Sequence, residues 1–565
     1  MKRPSGIDPA LNDSRVAWFI IGLAAIIQLS RILGITAPHG ELPFLSANDR
    51  SRWCAIAALT EDGTWEIDKY IEILDSKGKS KIWNTIDLVR HVGADGREHS
   101  YSSKPPLLTL LYAAVCKPIT MITGKKLTEE PFLIGRWVLV IANCVPLVLW
   151  WIWWHRWLEK NVADILTRWY MLNIAVWGTF LTTFAATLNN HLHGAIFFTI
   201  SLALVWQVVR DNRKGVATPW GVWLSLGVST AMIVACELPA LAWAAAVGLI
   251  LLVADPKRML IGFGAGSVMV AAAFLVSNYW AHGDWRPPYS HRGLGAEIAQ
   301  ITELTKETPP TAEQIIATID VSKHPITSAA QILPARLDEV LQVLDESTQY
   351  RVALTHKDGA WRIHTWDDWY DYPKSYWLPE NKKGVDRGEP DRWNYLLQFT
   401  IGHHGILSLT PFWFWAMAGA GFWVVAGRRT PTKDGLEESH QELPLEHNVA
   451  QWPRWRSWLL SDRGISAAIV GVSMVCIAFY ASRDQVDRNY AGVCSGFRWM
   501  FWLIPGWLWL SIPAVQWSVR NRTFHLLLLL AIALSVLSAT IPWPNPWSHP
   551  WPYRLLMWWS PQDYQ

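Results

Sequence analysis

A short polar run, Tyr101-Ser102-Ser103-Lys104-Pro105-Pro106-Leu107-Leu108, stands just ahead of a long series of apolar stretches. A lysine is hard to explain there by packing. Set before a stiff Pro-Pro pair, it is placed to hold an anion at a lipid boundary. Asn48-Asp49-Arg50-Ser51-Arg52-Trp53 opens a helical stretch with Ser46 or Asn48 as its cap. Asp49 could take a proton from a hydroxyl, help hold a cation, or complement the helix dipole. Asn189-Asn190-His191-Leu192-His193-Gly194 offers two amides and two imidazoles, but histidines at i and i+2 do not share a helix face and make a poor zinc pair. Glu237, in Cys236-Glu237-Leu238-Pro239, lies within an apolar run of over thirty residues, where an ionisable group is usually functional or paired. Gly402-His403-His404-Gly405 sets two imidazoles in flexible backbone. Asn489-Tyr490-Ala491-Gly492 precedes Gly496-Phe497-Arg498-Trp499, whose guanidinium suits bidentate phosphate binding.

What must position these residues is a set of membrane helices. The 565 residues are 51% apolar and 17% charged, and apolar stretches of helix-spanning length alternate with charged connectors. The 39 tryptophans crowd span ends, as at Trp150, Trp151, Trp153, Trp154 and Trp157 or Trp543, Trp547 and Trp551, and are read as interface anchors. The pattern predicts an all-α polytopic membrane protein of about eleven transmembrane helices, near 16–36, 132–154, 166–188, 192–210, 219–236, 239–254, 259–281, 404–427, 464–481, 499–519 and 523–543. With a cytoplasmic N-terminus, Arg156, Lys160, Arg168, Arg210, Arg213, Lys214, Lys257, Arg258, Arg428, Arg429, Lys433, Arg520 and Arg522 all fall inside. Residues 106–123 are apolar, yet a crossing there would reverse that pattern, so they are read as a juxtamembrane or re-entrant segment of the outer face.

Three parts follow: an N-terminal transmembrane module 1–281 with a first outer loop 37–131, a loop domain 282–403, and a C-terminal module 404–565. The loop domain reads as a small α+β extracytoplasmic lid, helical from Leu333 to Leu344 and then a hairpin of Tyr350–Leu354 with Trp361–Thr365 through Asp358-Gly359. Six cysteines without paired spacing read as buried apolar residues. No metal-finger, P-loop or dinucleotide fingerprint occurs, and no nucleic-acid partner is expected.

The order and spacing of Asp49-Arg50, Arg52-Trp53, Gly63-Thr64-Trp65 and Lys104-Pro105-Pro106-Leu107 resemble the GT-C superfamily of integral-membrane glycosyltransferases, especially protein mannosyltransferases and aminoarabinose transferases. The similarity is clearest over about the first 200 residues, and Asn189-Asn190-His191 departs from it where many relatives carry a second acid. The resemblance implies transfer of a sugar from a polyprenyl-phosphate donor to a lipid, glycan or protein acceptor on the outer side of a plasma (inner) membrane. Asp49 would be the catalytic base, and Lys104 and Arg498 would bind donor phosphate. Arg50, Asn189, Asn190, His191, Glu237, His403, His404 and Tyr490 would hold substrate. The sequence names no cofactor, and the carboxylates and histidines permit a divalent cation without demanding one. A transporter or flippase of a lipid-linked substrate, and a non-catalytic membrane scaffold, are the rival readings.

Overall fold

The computed structural model describes residues 9–302, 304–335, 339–348, 350–426 and 452–559. The basic connector at Arg428, Arg429 and Lys433 lies outside them. In chain order, α1 (Pro9–Gly34) leads to a first loop holding α2 (Ala47–Ala57) and a hairpin of β1 (Leu88–Val92) with β2 (Glu98–Ser102). Then come α3 (Pro106–Thr123), α4 (Pro131–Asn161), α5 (Ile165–Trp177), α6 (His191–Arg213), α7 (Trp220–Cys236), α8 (Leu238–Ala254) and α9 (Pro256–His282). A sheet-containing segment follows, and after it α11 (Arg392–Thr400), α12 (Trp413–Ala426), α13 (Asp462–Ala481), α14 (Ile504–Ser518), α15 (Arg522–Thr540) and α16 (Trp551–Trp559).

Among the described residues, seven helices are long and apolar enough to cross a membrane: α1, α3, α4, α6, α9, α13 and α15. Their outward faces are apolar, with Phe19, Ile26, Met269 and Leu526 each more than half exposed, as a helix surrounded by lipid requires. This is the architecture of a helical membrane protein. Six of these seven are among the eleven expected spans, the seventh is α3, and the other five expected spans are shorter helices. Among these, α5 stops at Gly178, α7 and α8 are separated at Glu237, and a 3-10 turn, Arg498–Leu503, replaces the start of α14. These breaks gather at one end of the bundle, which is also where the polar side chains are. Irregular backbone inside such a bundle survives where protein or a wet cavity satisfies its polar groups.

Hydrogen bonds identify the two ends. At one, Arg31 of α1 donates to the carbonyls of Thr183 (2.6 Å) and Trp543 (2.8 Å), and Arg136 of α4 donates to the Ile35 carbonyl (2.7 Å). At the other, the Trp206 indole meets Asp462 (2.9 Å), Arg258 meets the Thr218 carbonyl (2.9 Å) and Tyr170 meets His525 (2.7 Å). Because α1 ends and α4 begins at the same end, the chain between them makes no net crossing. Within that stretch Lys117 of α3 reaches back to the Thr60 carbonyl of the first loop (2.7 Å). α3 is unbroken and is itself long and apolar enough to cross a membrane, and its Leu107 packs with Met232 of α7 and Val270 of α9.

The tryptophans correct the sequence reading. Trp151 is fully buried and Trp150 and Trp154 nearly so, and Trp223, Trp243 and Trp502 are likewise in the core. Large rings fill the gaps between helices here rather than marking only the interface. The loop domain holds α10 (Ala312–Thr318) and a five-stranded antiparallel sheet in the order β3-β7-β6-β5-β4. Its strands are β3 (Arg292–Ile301), β4 (Gln331–Pro334), β5 (Val340–Asp345), β6 (Tyr350–Lys357) and β7 (Ala360–Asp368). The expected hairpin is present, with Asp358 (φ 54°) and Gly359 (φ 76°) both left-handed in its two-residue turn. Leu333–Leu344 is not a helix: its described residues lie in the antiparallel pair β4–β5, where Ile332 faces Val343. Val343, Val352 and Ile363 from adjacent strands then bury together, a cross-strand packing that outweighs local helical spacing.

Candidate functional site

Ser46 caps α2, its side chain accepting from the Asp49 amide. One turn later the helix presents two different faces. Asn48 and Arg52 share one, and the Arg52 guanidinium donates to Asn48 Oδ1 (2.8 Å). Asp49 and Trp53 share the next. Asp49 Oδ1 accepts from the Trp53 indole (2.9 Å) and the Leu188 amide (2.9 Å), while Oδ2 accepts from the Leu45 amide (3.1 Å). Burial pushes this carboxyl up to about 6, against the pull of those donors and of Arg50. Asp49 is fully buried and fixes α2 to the turn before α6.

The β1–β2 hairpin positions Lys104. Ser51 Oγ meets Ser102 Oγ (2.7 Å) and donates to the Asp87 carbonyl (2.5 Å), tying hairpin to helix. Pro105 and Pro106 then start α3 and direct Lys104 inward, where its ammonium pairs with Asp87 (3.1 Å). Burial, with Arg52 and Arg498 nearby, holds this lysine down at about 8, although Asp87 opposes the shift.

At the start of α6, Asn189 Oδ1 accepts from the His191 and Leu192 amides and so serves as the cap. Its neighbours face the other way. Glu237, in the extended residue between α7 and α8, accepts on Oε1 from Asn190 Nδ2 (2.8 Å) and His191 Nδ1 (2.5 Å). Arg498 Nη1 donates to His191 Nε2 (2.9 Å), and Arg52 Nη2 donates to Asn190 Oδ1 (2.9 Å). Arginine can only donate, so His191 Nε2 must accept and its proton must sit on Nδ1, aimed at Glu237. A single chain of hydrogen bonds thus runs Arg498–His191–Glu237–Asn190–Arg52–Asn48.

Lys104, Asn190, His191, Glu237 and Arg498 line one cavity of about 290 Å³, joined by Arg52 from α2 and by Tyr289, Arg292, Tyr370 and Trp377 from the loop domain. Arg52, Lys104, Arg292 and Arg498 outnumber Glu237 and the Asp87 paired with Lys104. A cavity so charged favours an anion, and planar guanidinium forks suit phosphate oxygens. Glu237 Oε2 receives no hydrogen bond among the described residues, leaving one carboxylate oxygen able to accept from a ligand.

The other expected site residues are elsewhere. Asp49, Arg50 and Asn189 support the cavity without lining it; Arg50 donates to the Asn84 carbonyl (2.8 Å). His403, His404 and Tyr490 form a separate aromatic cluster, with His404 stacked on Tyr490 at 4.7 Å. They do not join the others because His403 and His404 follow α11 and Tyr490 follows α13, and His403 and Tyr490 line a different cavity. Arg52 was visible in the sequence as the residue one turn after Asn48. Asp87 carried no local signal, since only the hairpin brings it to Lys104. Among the described residues, the one group of three side chains spaced to hold a metal is Glu66, Asp68 and His99 of the first loop, away from the cavity.

Comparison of the chain with protein-family models, with curated proteins and with solved structures gave no match. The fold and site by themselves define a helical membrane protein with a cationic, single-carboxylate cavity at the end of its bundle where helices break.

Proposed function

We propose that the chain is a membrane glycosyltransferase of GT-C type, with about eleven spans when its shorter helices are counted as crossings. It would move a sugar from a polyprenyl-phosphate donor to an acceptor on the extracytoplasmic face of a plasma (inner) membrane. The observation that carries this reading is the convergence of Lys104, Arg52 and Arg498 around Glu237 in one cavity roofed by the loop domain. The basic residues Lys160, Arg213, Lys257, Arg258 and Arg522 belong to the opposite end of the bundle, which supports placing the cavity outside.

The reaction needs an acceptor made nucleophilic and a leaving phosphate made stable. Glu237 Oε2 would take the acceptor proton as the acceptor oxygen or nitrogen bonds to the anomeric carbon. The bond from that carbon to the phosphate oxygen breaks, and its electron pair leaves on the lipid phosphate. Lys104, Arg52 and Arg498 would stabilise that charge in place, Arg498 being held through His191 and the Ala491 carbonyl (3.0 Å). The roof residues Tyr370 and Trp377 would exclude water that otherwise hydrolyses the donor. The base is therefore assigned to Glu237, and Asp49 is assigned the positioning of α2.

The test is a transfer assay in nanodiscs with a panel of radiolabelled polyprenyl-phosphate sugars and membrane extract as acceptor. Transfer by the wild type, cut about 10²-fold or more in Lys104→Ala and in Glu237→Gln, is the expected result. Transfer surviving both changes would reject this site. Absence of transfer from every donor, with folded protein, would favour a transporter, flippase or scaffold.

A further inference from the structure

The helix that returns the loop domain to the bundle is apolar where a wet helix would be polar. α11 buries Tyr395 and Phe399 against the bundle, with Phe399 stacked on Phe497 (4.5 Å) and Tyr395 beside Tyr490 (5.1 Å). Its opposite face carries Trp393, 75% exposed, then Leu397 one turn later and Ile401 just past the end, both exposed as well. Arg392 and Asn394 stand at the edges of that face. α10, also in the loop domain, does what water requires: it buries Ile315 and exposes Glu313, Gln314 and Thr318. A helix that is apolar both toward its core and away from it has a non-aqueous medium on its outer side.

α16 repeats the pattern next to it. Tyr553 turns inward to the His403 ring (4.9 Å), and the Trp551 indole donates to Ser538 of α15 (2.9 Å). Outward stand Trp558, 76% exposed, Trp559, 78% exposed, and Leu555, with Arg554 exposed beside them. An apolar surface already runs up to both helices. Val475 and Phe479 are exposed on α13, whose Tyr480 shares a core with Tyr395 and Phe399. Leu534 and Leu537 are exposed on α15, beside the Ser538 that holds α16. Other exposed aromatics mark the level independently. Trp280 and Trp285 stand at the cavity end of α9, while Trp220 at the start of α7 and Trp517 at the end of α14 stand at the opposite end of the bundle. Exposed indoles at both ends of a set of apolar helices are what the two interfaces of a bilayer select. Trp393, Trp558 and Trp559 belong with those at the cavity end.

We infer that α11 and α16 are interfacial helices, lying in the lipid surface at the cavity end with Trp393, Leu397, Ile401, Leu555, Trp558 and Trp559 set into it. The loop domain is then anchored to the bilayer through α11 as well as to the bundle. The inference rests on the membrane architecture and not on the transferase reading. The test uses the full chain in phosphatidylcholine nanodiscs, with Cys236→Ser as background because the other five native cysteines are buried. Leu397→Cys and Trp558→Cys would each carry the fluorophore NBD, and Lys306→Cys, exposed in the loop domain, would give the aqueous comparison. The replaced side chains are exposed, so no change enters the core. NBD at Leu397→Cys and at Trp558→Cys should lose emission to doxyl-labelled lipid and keep it against aqueous iodide, with the reverse at Lys306→Cys. Iodide quenching at either helix as strong as at Lys306→Cys would overturn the inference, because that face is then wet. Protection from both quenchers at either helix would also overturn it, because a second copy or a partner protein then covers the face.

Discussion

Two carboxylates, Glu237 lining the cavity and Asp49 outside it, have different fates because of what surrounds their oxygens. Asp49 accepts three protein donors, so Asp49→Ala strands the Leu45 and Leu188 amides and the Trp53 indole in a buried place. The expected loss is about 3 kcal/mol or more, read as a lower unfolding temperature in detergent. Glu237→Gln keeps an acceptor for His191 and Asn190, so its unfolding temperature should stay near wild type while transfer falls. Lys104 adds a pH signature. Its folded value of about 8 lies below the ordinary 10.5, so the charged form is lost as pH rises through 8, and phosphate affinity should fall there. Lys104→Arg should keep affinity level to about pH 10. For stability the sign reverses: burying the charged lysine costs stability below pH 8, and that cost is relieved between about 8 and 10.5. Affinity measured by titration with a polyprenyl phosphate, and stability by denaturation at each pH, should therefore move in opposite directions.

At the scale of elements, close helix pairs keep the site's frame. A Cβ on Gly227 of α7 would meet the Phe263 carbonyl oxygen at 2.1 Å, and one on Gly266 of α9 would meet that of Leu224 at 2.2 Å. Small residues let these backbones touch, the usual device where lipid supplies no hydrophobic drive for association. Gly266→Val should push α7 from α9 at a cost of about 1–3 kcal/mol, seen as earlier thermal unfolding. Much of this level was readable beforehand. The Asp358-Gly359 turn, the helix opening at Ser46 and the position of α6 follow from local rules. Leu333–Leu344 did not, because its spacing suits a helix while β5 is fixed by neighbours contributed from β6. The hairpin of β1 and β2 was missed for a similar reason: its register matters through Ser51 and Asp87, which are distant in sequence.

For the whole molecule, the two ends of the bundle make a labelling prediction. Single cysteines at Lys306, in the loop domain, and at Lys257, in the first turn of α9, should report opposite sides. In a Cys236→Ser background the other five native cysteines are buried. An impermeant maleimide should then label Lys306→Cys on intact cells and label Lys257→Cys only after lysis. Labelling of both from outside would reject the orientation.

Composition and the alternation of apolar with charged segments determined that this is a helical membrane protein, because burial in lipid demands long apolar helices whatever their packing. The sequence also marked Lys104, Asn190, His191, Glu237 and Arg498, since polar groups among apolar spans stand out. Only the tertiary structure decided which of the marked residues meet. Five share a cavity; Asp49 and Asn189 face inward to backbone donors; His403, His404 and Tyr490 belong to another wall. The physical reason is that a side chain's direction depends on helix phase and on partners hundreds of residues away, as where Arg498 fixes the proton of His191.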